Sequence, residues 1–219
     1  MTQIKICGIT NSEDAAVVAG CGADAIGFIF HPQSPRYVSP EIVKGIIKEL
    51  SDTIITKVGV FVNLEVKQVK ETVAFCNLDM VQLHGDEPPA FCSEFPRTQV
   101  IKALAPRNED DLAQLRHYAV KAILIDAYDP LHHGGTGEKA DWEMAARVKK
   151  HHPLILAGGL SLVNIQEAIT AVSPDAVDIN SGVETATRRK DHAKIREIIE
   201  LVHEFGGEHT KIFGKKVNL

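Results

Sequence analysis

Two reactive side chains stand at the ends of apolar runs in this chain, and a turn follows each. Cys7 closes the first run in Lys5-Ile6-Cys7-Gly8-Ile9-Thr10, and Asp126 closes Ile123-Leu124-Ile125-Asp126 ahead of Ala127. Parallel α/β folds gather catalytic groups at the carboxyl ends of their strands. A thiol and a carboxyl group meeting there are a base and an acid for moving protons. Each also has a plainer reading. A cysteine in an apolar strand is commonly a small buried hydrophobe, and a carboxylate closing a strand is often a helix cap or an ion-pair partner. To act near neutral pH, a thiol with a pKa near ~8.5 needs a neighbouring positive charge or helix N-terminus. Asp126 needs burial or a nearby anion to keep its proton.

Other residues look like anchors. Arg36, in Ser34-Pro35-Arg36-Tyr37-Val38, follows a proline that stiffens its loop, and a guanidinium grips a carboxylate with two parallel hydrogen bonds. Gly158 and Gly159, in Leu156-Ala157-Gly158-Gly159-Leu160, and Ser181 and Gly182, in Asn180-Ser181-Gly182, follow the last two apolar runs. Glycines let backbone N–H groups approach a phosphate closely, and a short helix starting near Ser181 would aim its positive end at it. Either segment alone is equally a tight turn. His84, after Val81-Gln82-Leu83, is a strand-end histidine placed to line a pocket. Asp178 faces the same mouth or serves as an internal hydrogen-bond partner.

Two motifs mislead. Gly134-Gly135-Thr136-Gly137-Glu138-Lys139 lacks both the Walker ending and the third glycine of a dinucleotide fingerprint, and reads as a mobile loop near Asp126. His132-His133 and His151-His152 are adjacent residues whose side chains point apart, so no metal site is expected.

What positions these groups is a repeating pattern. Apolar, β-branched runs recur every ~20–30 residues, the spacing of βα units. They are Ile4–Cys7, Ala25–Phe30, Lys57–Val62, Met80–Leu83, Val100–Ala103, Ala122–Asp126, Leu154–Ala157 and Ala176–Ile179. Several are nearly unbroken in apolar residues, as strands covered on both faces should be. Helices are expected between them: from a capping box at Thr10–Glu13, from Ser39 with Pro40 behind it, and from caps at Asn63 and Ser161. A stunted helix is expected after Pro88-Pro89, and Ile195, Ile198, Ile199 and Val202 mark the buried face of the last one. The alternation predicts a single-domain (β/α)8 barrel over residues 1–206, with short loops because barrels of this kind typically need ~250 residues. An open doubly wound sheet is the rival, with fewer strands. The stretch 207–219, rich in lysine after Gly206-Gly207, is expected to be a loose tail.

Composition narrows the function. At 44% hydrophobic and 24% charged, the chain of 219 residues is an ordinary globular one. No run approaches the ~18 apolar residues of a membrane span, and Met1-Thr2-Gln3 leads into a strand rather than a signal peptide. A net charge of −5 argues against nucleic acid as a partner. Four scattered cysteines (Cys7, Cys21, Cys76 and Cys92) form no zinc or disulfide pattern, so a reduced, cytoplasmic setting is expected.

Together the motifs around Cys7, Arg36, Asp126 and Gly158-Gly159 resemble the phosphoribosylanthranilate isomerase family of tryptophan biosynthesis, from about the first residue through the final helix. The resemblance implies a (β/α)8 barrel acting on a small phosphosugar–anthranilate substrate by an Amadori rearrangement. It assigns Asp126 as general acid, Cys7 as general base and Arg36 as holder of the anthranilate carboxylate. It implies no cofactor, and either a monomer or a homodimer. The alternatives are another phosphosugar barrel or a non-catalytic phosphate-binding barrel. A histidine-pathway isomerase would carry an aspartate where Cys7 stands, and indole-glycerol-phosphate synthase would rely on strand-end lysine and glutamate. A binding barrel would need no acid–base pair.

Overall fold

The structure, a computed structural model, describes residues 1–126 and 142–214. Eight parallel strands close into one barrel in sequence order, with β1 hydrogen-bonded to both β2 and β8. The strands are β1 Gln3–Ile6, β2 Ala25–Ile29, β3 Thr56–Phe61, β4 Met80–Leu83, β5 Val100–Leu104, β6 Ala122–Ile125, β7 Leu154–Leu156 and β8 Ala176–Ile179. Each differs from its expected range by at most a residue or two at either end. Cys7 and Asp126 therefore sit just beyond their strands, although the Cys7 N–H still donates to Ile179 O at 2.8 Å.

Successive side chains on a strand point to opposite faces. Ile4 and Ile6 join the large core between barrel and helices, whereas Gln3, Lys5 and Cys7 face inward. The same alternation sends Ala25, Val58, Met80, Ile101, Ala122, Leu124, Ile155 and Ala176 into a separate core inside the barrel. The register of β1 on β8 sets Lys5 against Asp178.

Helices α1 Ser12–Gly20, α2 Pro40–Glu49, α3 Val66–Cys76, α4 Pro89–Cys92, α5 Glu109–Gln114, α6 Trp142–Lys149, α7 Ile165–Val172 and α8 His192–Phe205 follow the barrel strands. The stunted α4, the Ser39-Pro40 start of α2 and the buried isoleucine face of α8 match expectation. Three caps do not. Asn11, not Thr10, caps α1 by accepting from Asp14 N–H at 2.8 Å, because an amide oxygen one residue later meets the helix's first unpaired donors. Asn63 sits in a turn at φ 51° bonded to Asp86, and α3 starts from Glu65, whose N–H donates to Gln68 Oε1. The start of α7 belongs to Asn164, whose side chain accepts from Ser161 N–H and donates to Gly159 O.

The tail also departs from expectation. Through Gly214 it is anchored, with Ile212 and Phe213 only 4% and 1% exposed beneath the barrel's inner core. Gln3 Oε1 accepts from the N–H groups of both residues, at 2.7 and 2.8 Å, and Gln3 Nε2 donates to Phe213 O. Two apolar side chains outweigh the glycines and lysines around them and plug the amino-terminal end of the strands.

Candidate active site

Cys7 lies 4% exposed at the carboxyl end of β1. The β-carbon that Gly27 of β2 lacks would stand 2.7 Å from Cys7 Sγ and 3.0 Å from Lys5 Nζ, so this glycine makes the space that sulfur and ammonium share. Gly8 is equally constrained: it turns at φ +72°, and a β-carbon there would come within 2.5 Å of Asn180 Oδ1 and 2.9 Å of Arg36 Cδ. Burial pushes the Cys7 thiol above its ordinary pKa; the Lys5 ammonium pulls it down, Asp178 pushes it up, and Lys190 adds a weaker downward pull.

Lys5 is fully buried in the barrel and donates to Asp178 Oδ2 at 2.7 Å. Burial works against its charge, but Asp178 and the neighbouring sulfur outweigh that and leave its pKa raised. Asp178, 9% exposed, thus takes the internal-partner role, while its other oxygen is buried with no hydrogen bond from the described residues.

Arg36, 7% exposed, is held by a residue that sequence reasoning missed. Its Nε and Nη2 donate to Glu184 Oε1 and Oε2 at 2.9 and 2.8 Å. Glu184 opens a short antiparallel hairpin, β9 Glu184–Ala186 and β10 Arg189–Lys190, turning at Arg188 with φ 71°. From β10, Lys190 Nζ donates to Glu184 Oε1 at 3.2 Å and to Asn180 O and Oδ1 at 2.9 and 3.1 Å. Burial alone would raise the Glu184 pKa, but the hydrogen bond from Arg36 and the charge of Lys190 bring it below the usual range. The hydrogen bond to Glu184 and that carboxylate's charge outweigh burial and keep the Arg36 guanidinium firmly charged.

Across the mouth, Asp126 Oδ2 lies 3.4 Å from His84 Nε2, and Gln82 Nε2 stands 2.9 Å from His84 Nδ1. Gln82 and His84 face inward together by strand alternation. The turn that carries His84 is stapled by buried Lys102, which donates to Gly85 O at 2.6 Å and to Glu87 Oε2 at 2.9 Å. Glu87 in turn accepts from Asn63 and Gly85 N–H. Lys102 is a lone charge inside the Val100–Ala103 run and Glu87 a charge soon after the Met80–Leu83 run, and neither carries a further sequence signal.

The two glycine segments after β7 and β8 lie side by side. Gly158 and Gly159 both adopt left-handed backbone, at φ +82° and +62°. A β-carbon on Gly182 would strike Leu160 O at 2.0 Å, so the two loops pack backbone to backbone. The helix expected near Ser181 is a single 3-10 turn, Ser181–Val183. Among the described residues, no three His, Cys, Asp or Glu side chains group to hold a metal ion, and no helix is long and apolar enough to cross a membrane. The segment 134–139 and His132-His133 lie outside the described residues.

A closed parallel barrel with a thiol, a carboxyl group and paired glycine loops at the carboxyl ends of its strands has the architecture of a (β/α)8 enzyme. Residues 4–201 match the family model of N-(5'-phosphoribosyl)anthranilate (PRA) isomerase, and the chain belongs to that family. The N-(5'-phosphoribosyl)anthranilate isomerase of Geobacter metallireducens is 52% identical over 199 residues, 91% of this chain and 98% of that one. Its counterpart from Syntrophus aciditrophicus is 49% identical over 207 residues, 94% of this chain and 90% of the relative. The crystal structure of the Thermotoga maritima enzyme superposes with a TM-score of 0.83 at 39% identity, covering 93% of this chain and all of that one (100%). A phosphoribosylanthranilate isomerase solved with reduced 1-(o-carboxyphenylamino)-1-deoxyribulose 5-phosphate gives 0.80 at 38% identity, with 93% of this chain and 100% of that chain covered.

Proposed function

We propose that this protein converts N-(5-phosphoribosyl)anthranilate to 1-(2-carboxyphenylamino)-1-deoxyribulose 5-phosphate, a step of tryptophan biosynthesis. The observation that carries the reading is the placement of Cys7 after β1 and Asp126 after β6, three strands away round the closed ring through β8 and β7. Groups so placed can address a sugar bound over the mouth from two sides. Asp126 gives its proton to the furanose ring oxygen, and the C–O bond opens to a Schiff base. Cys7 then takes the proton from the adjacent sugar carbon, leaving an enolamine that tautomerises to the ketone. One proton enters and one leaves, so the reaction balances without a redox partner.

The anchors fit the two ends of that substrate. Glu184 occupies Nε and Nη2 of Arg36, and Nη1 remains to hold the anthranilate carboxylate. Backbone N–H groups of Gly158, Gly159, Ser181 and Gly182 would take the phosphate. His84 stands beside Asp126 to orient it, and the second oxygen of Asp178 is an acceptor for a sugar hydroxyl. All of these groups come from one chain, so a monomer and a homodimer serve equally. The cysteines, unpaired in this structure, suit a reducing cytoplasm.

The test is turnover, followed by loss of the substrate's anthranilate fluorescence. Cys7→Ala and Asp126→Asn should each lower kcat by at least ~10²-fold, the lower end for a positioned acid or base. Near-native turnover in either folded variant would remove that residue from the chemistry.

A further inference from the structure

A base buried as deeply as Cys7 has a difficulty: loss of its proton would leave an anion where water is scarce. The barrel places one ammonium against it. Lys5 and Cys7 are two residues apart on β1 and face the same way, and the missing β-carbon of Gly27 brings Sγ and Nζ around one small space. That ammonium is already engaged, since Asp178 Oδ2 holds it at 2.7 Å.

We infer that Lys5 is the positioning residue that supplies the counter-charge for the Cys7 thiolate, and that Asp178 competes with the sulfur for the same ammonium. This rests on the reading of Cys7 as general base. The step is a plain ionisation: the S–H bond breaks, the proton leaves, and the electron pair stays on sulfur beside Nζ. Among the described residues, the charged groups felt by that sulfur are Lys5 on β1, Asp178 on β8, Lys190 on β10 and Arg36 in the loop after β2. Arg36 and Lys190 are bound to Glu184, whereas Lys5 Nζ shares with Cys7 Sγ the space that Gly27 leaves open. A buried ammonium needs an acid partner in any case; what ties this one to the sulfur is Gly27, whose missing β-carbon leaves Sγ and Nζ facing one space.

The competition makes the two single substitutions act with opposite sign. Lys5→Met keeps an unbranched side chain one atom shorter and removes the cation, so the thiol should ionise at higher pH. Asp178→Asn removes the competing anion and should let it ionise at lower pH. The measurement is the pH dependence of iodoacetamide alkylation of Cys7, in which sulfur displaces iodide, followed on the Cys7 peptide by mass spectrometry. Below the midpoint, each unit of displacement changes the thiolate population tenfold, so Lys5→Met should be alkylated about tenfold more slowly at fixed pH, and Asp178→Asn faster than wild type. Each single variant leaves one buried charge alone. The double variant Lys5→Met/Asp178→Asn leaves none, and its midpoint should still lie above wild type because the cation's pull exceeds the anion's push. Equal midpoints, or displacement of both single variants in the same direction, would overturn the inference. So would a double variant at or below wild type. These outcomes are separate from the fate of the proposed reaction: an inactive Cys7→Ala with unmoved midpoints sinks only the role of Lys5, and an active Cys7→Ala sinks the base itself.

Discussion

Phe213→Ala tests whether the C-terminal segment is part of the barrel or only lies against it. The ring is 1% exposed and shares the inner core with Ala25, Val58, Ile101, Ala122 and Ala176. Truncating a buried phenylalanine to alanine costs ~3–5 kcal/mol, the lost transfer energy plus the cavity that remains. The strand ends around it are tied to their neighbours on both sides and have little room to collapse inward. The backbone bonds from Ile212 and Phe213 to Gln3 survive the change, so the loss is confined to packing. For a chain of this size each kcal/mol lowers Tm by ~2–4 °C, which gives a fall of about 6–20 °C. Scanning calorimetry reads it directly. Activity at 25 °C should be unchanged in kcat and KM, because the ring lies at the amino-terminal end of strands whose opposite end carries Cys7 and Asp126. A fall in Tm below ~2 °C would refute the packing argument. An altered KM at unchanged stability would refute the separation of the two ends.

Arg36→Ala should raise KM far more than it lowers kcat, since a carboxylate anchor sits away from the migrating proton; steady-state kinetics showing an unchanged KM would rule it out as the anchor. Arg36→Lys should recover only part of the loss, because an ammonium cannot reproduce the fork that Nε and Nη2 present to Glu184. Glu184 supplies an acid-side test. Its folded pKa is depressed, so its contribution is fully present above the unfolded value of about 4.3 and is lost as pH falls through the lower folded value. Tm of the wild type should therefore drop more steeply below about pH 4.3 than that of Glu184→Gln, and parallel curves would show that the ion pair is not responsible.

The barrel was legible because its strands are buried on both faces, which makes each an almost continuous apolar run ended by a turn. Helix starts were less so. At Thr10-Asn11-Ser12 three neighbours can all cap, and only the backbone geometry selects Asn11. Composition misjudged the tail, where glycines and lysines surround two apolar side chains, Ile212 and Phe213, that anchor it together with their hydrogen bonds to Gln3. In the site, strand alternation already places Lys5 on the face of Cys7 and Gln82 on the face of His84. Glu184 and Lys190 had no such signal: their hairpin is too short for any period, and Glu184 meets Arg36 from 148 residues away.

What the missed residues add is charge, and it bears on whether a buried cysteine can work as a base. Lys5, Arg36 and Lys190 surround the thiol with three cations, against two carboxylates, Asp178 and Glu184. Each carboxylate is bound to at least one of those cations, so neither is a buried anion left alone. The surplus is one positive charge, and a thiolate at Cys7 brings the group to neutrality. With a neutral thiol the same group holds an unbalanced cation in a place where burial already disfavours charge. Burial and the surplus thus pull the thiol in opposite directions, and burial is the stronger in this structure. A base that is mostly protonated yet has its counter-charge already in place needs no rearrangement when its proton leaves. That is the condition under which a buried sulfur can take a proton from carbon and return it within one turnover.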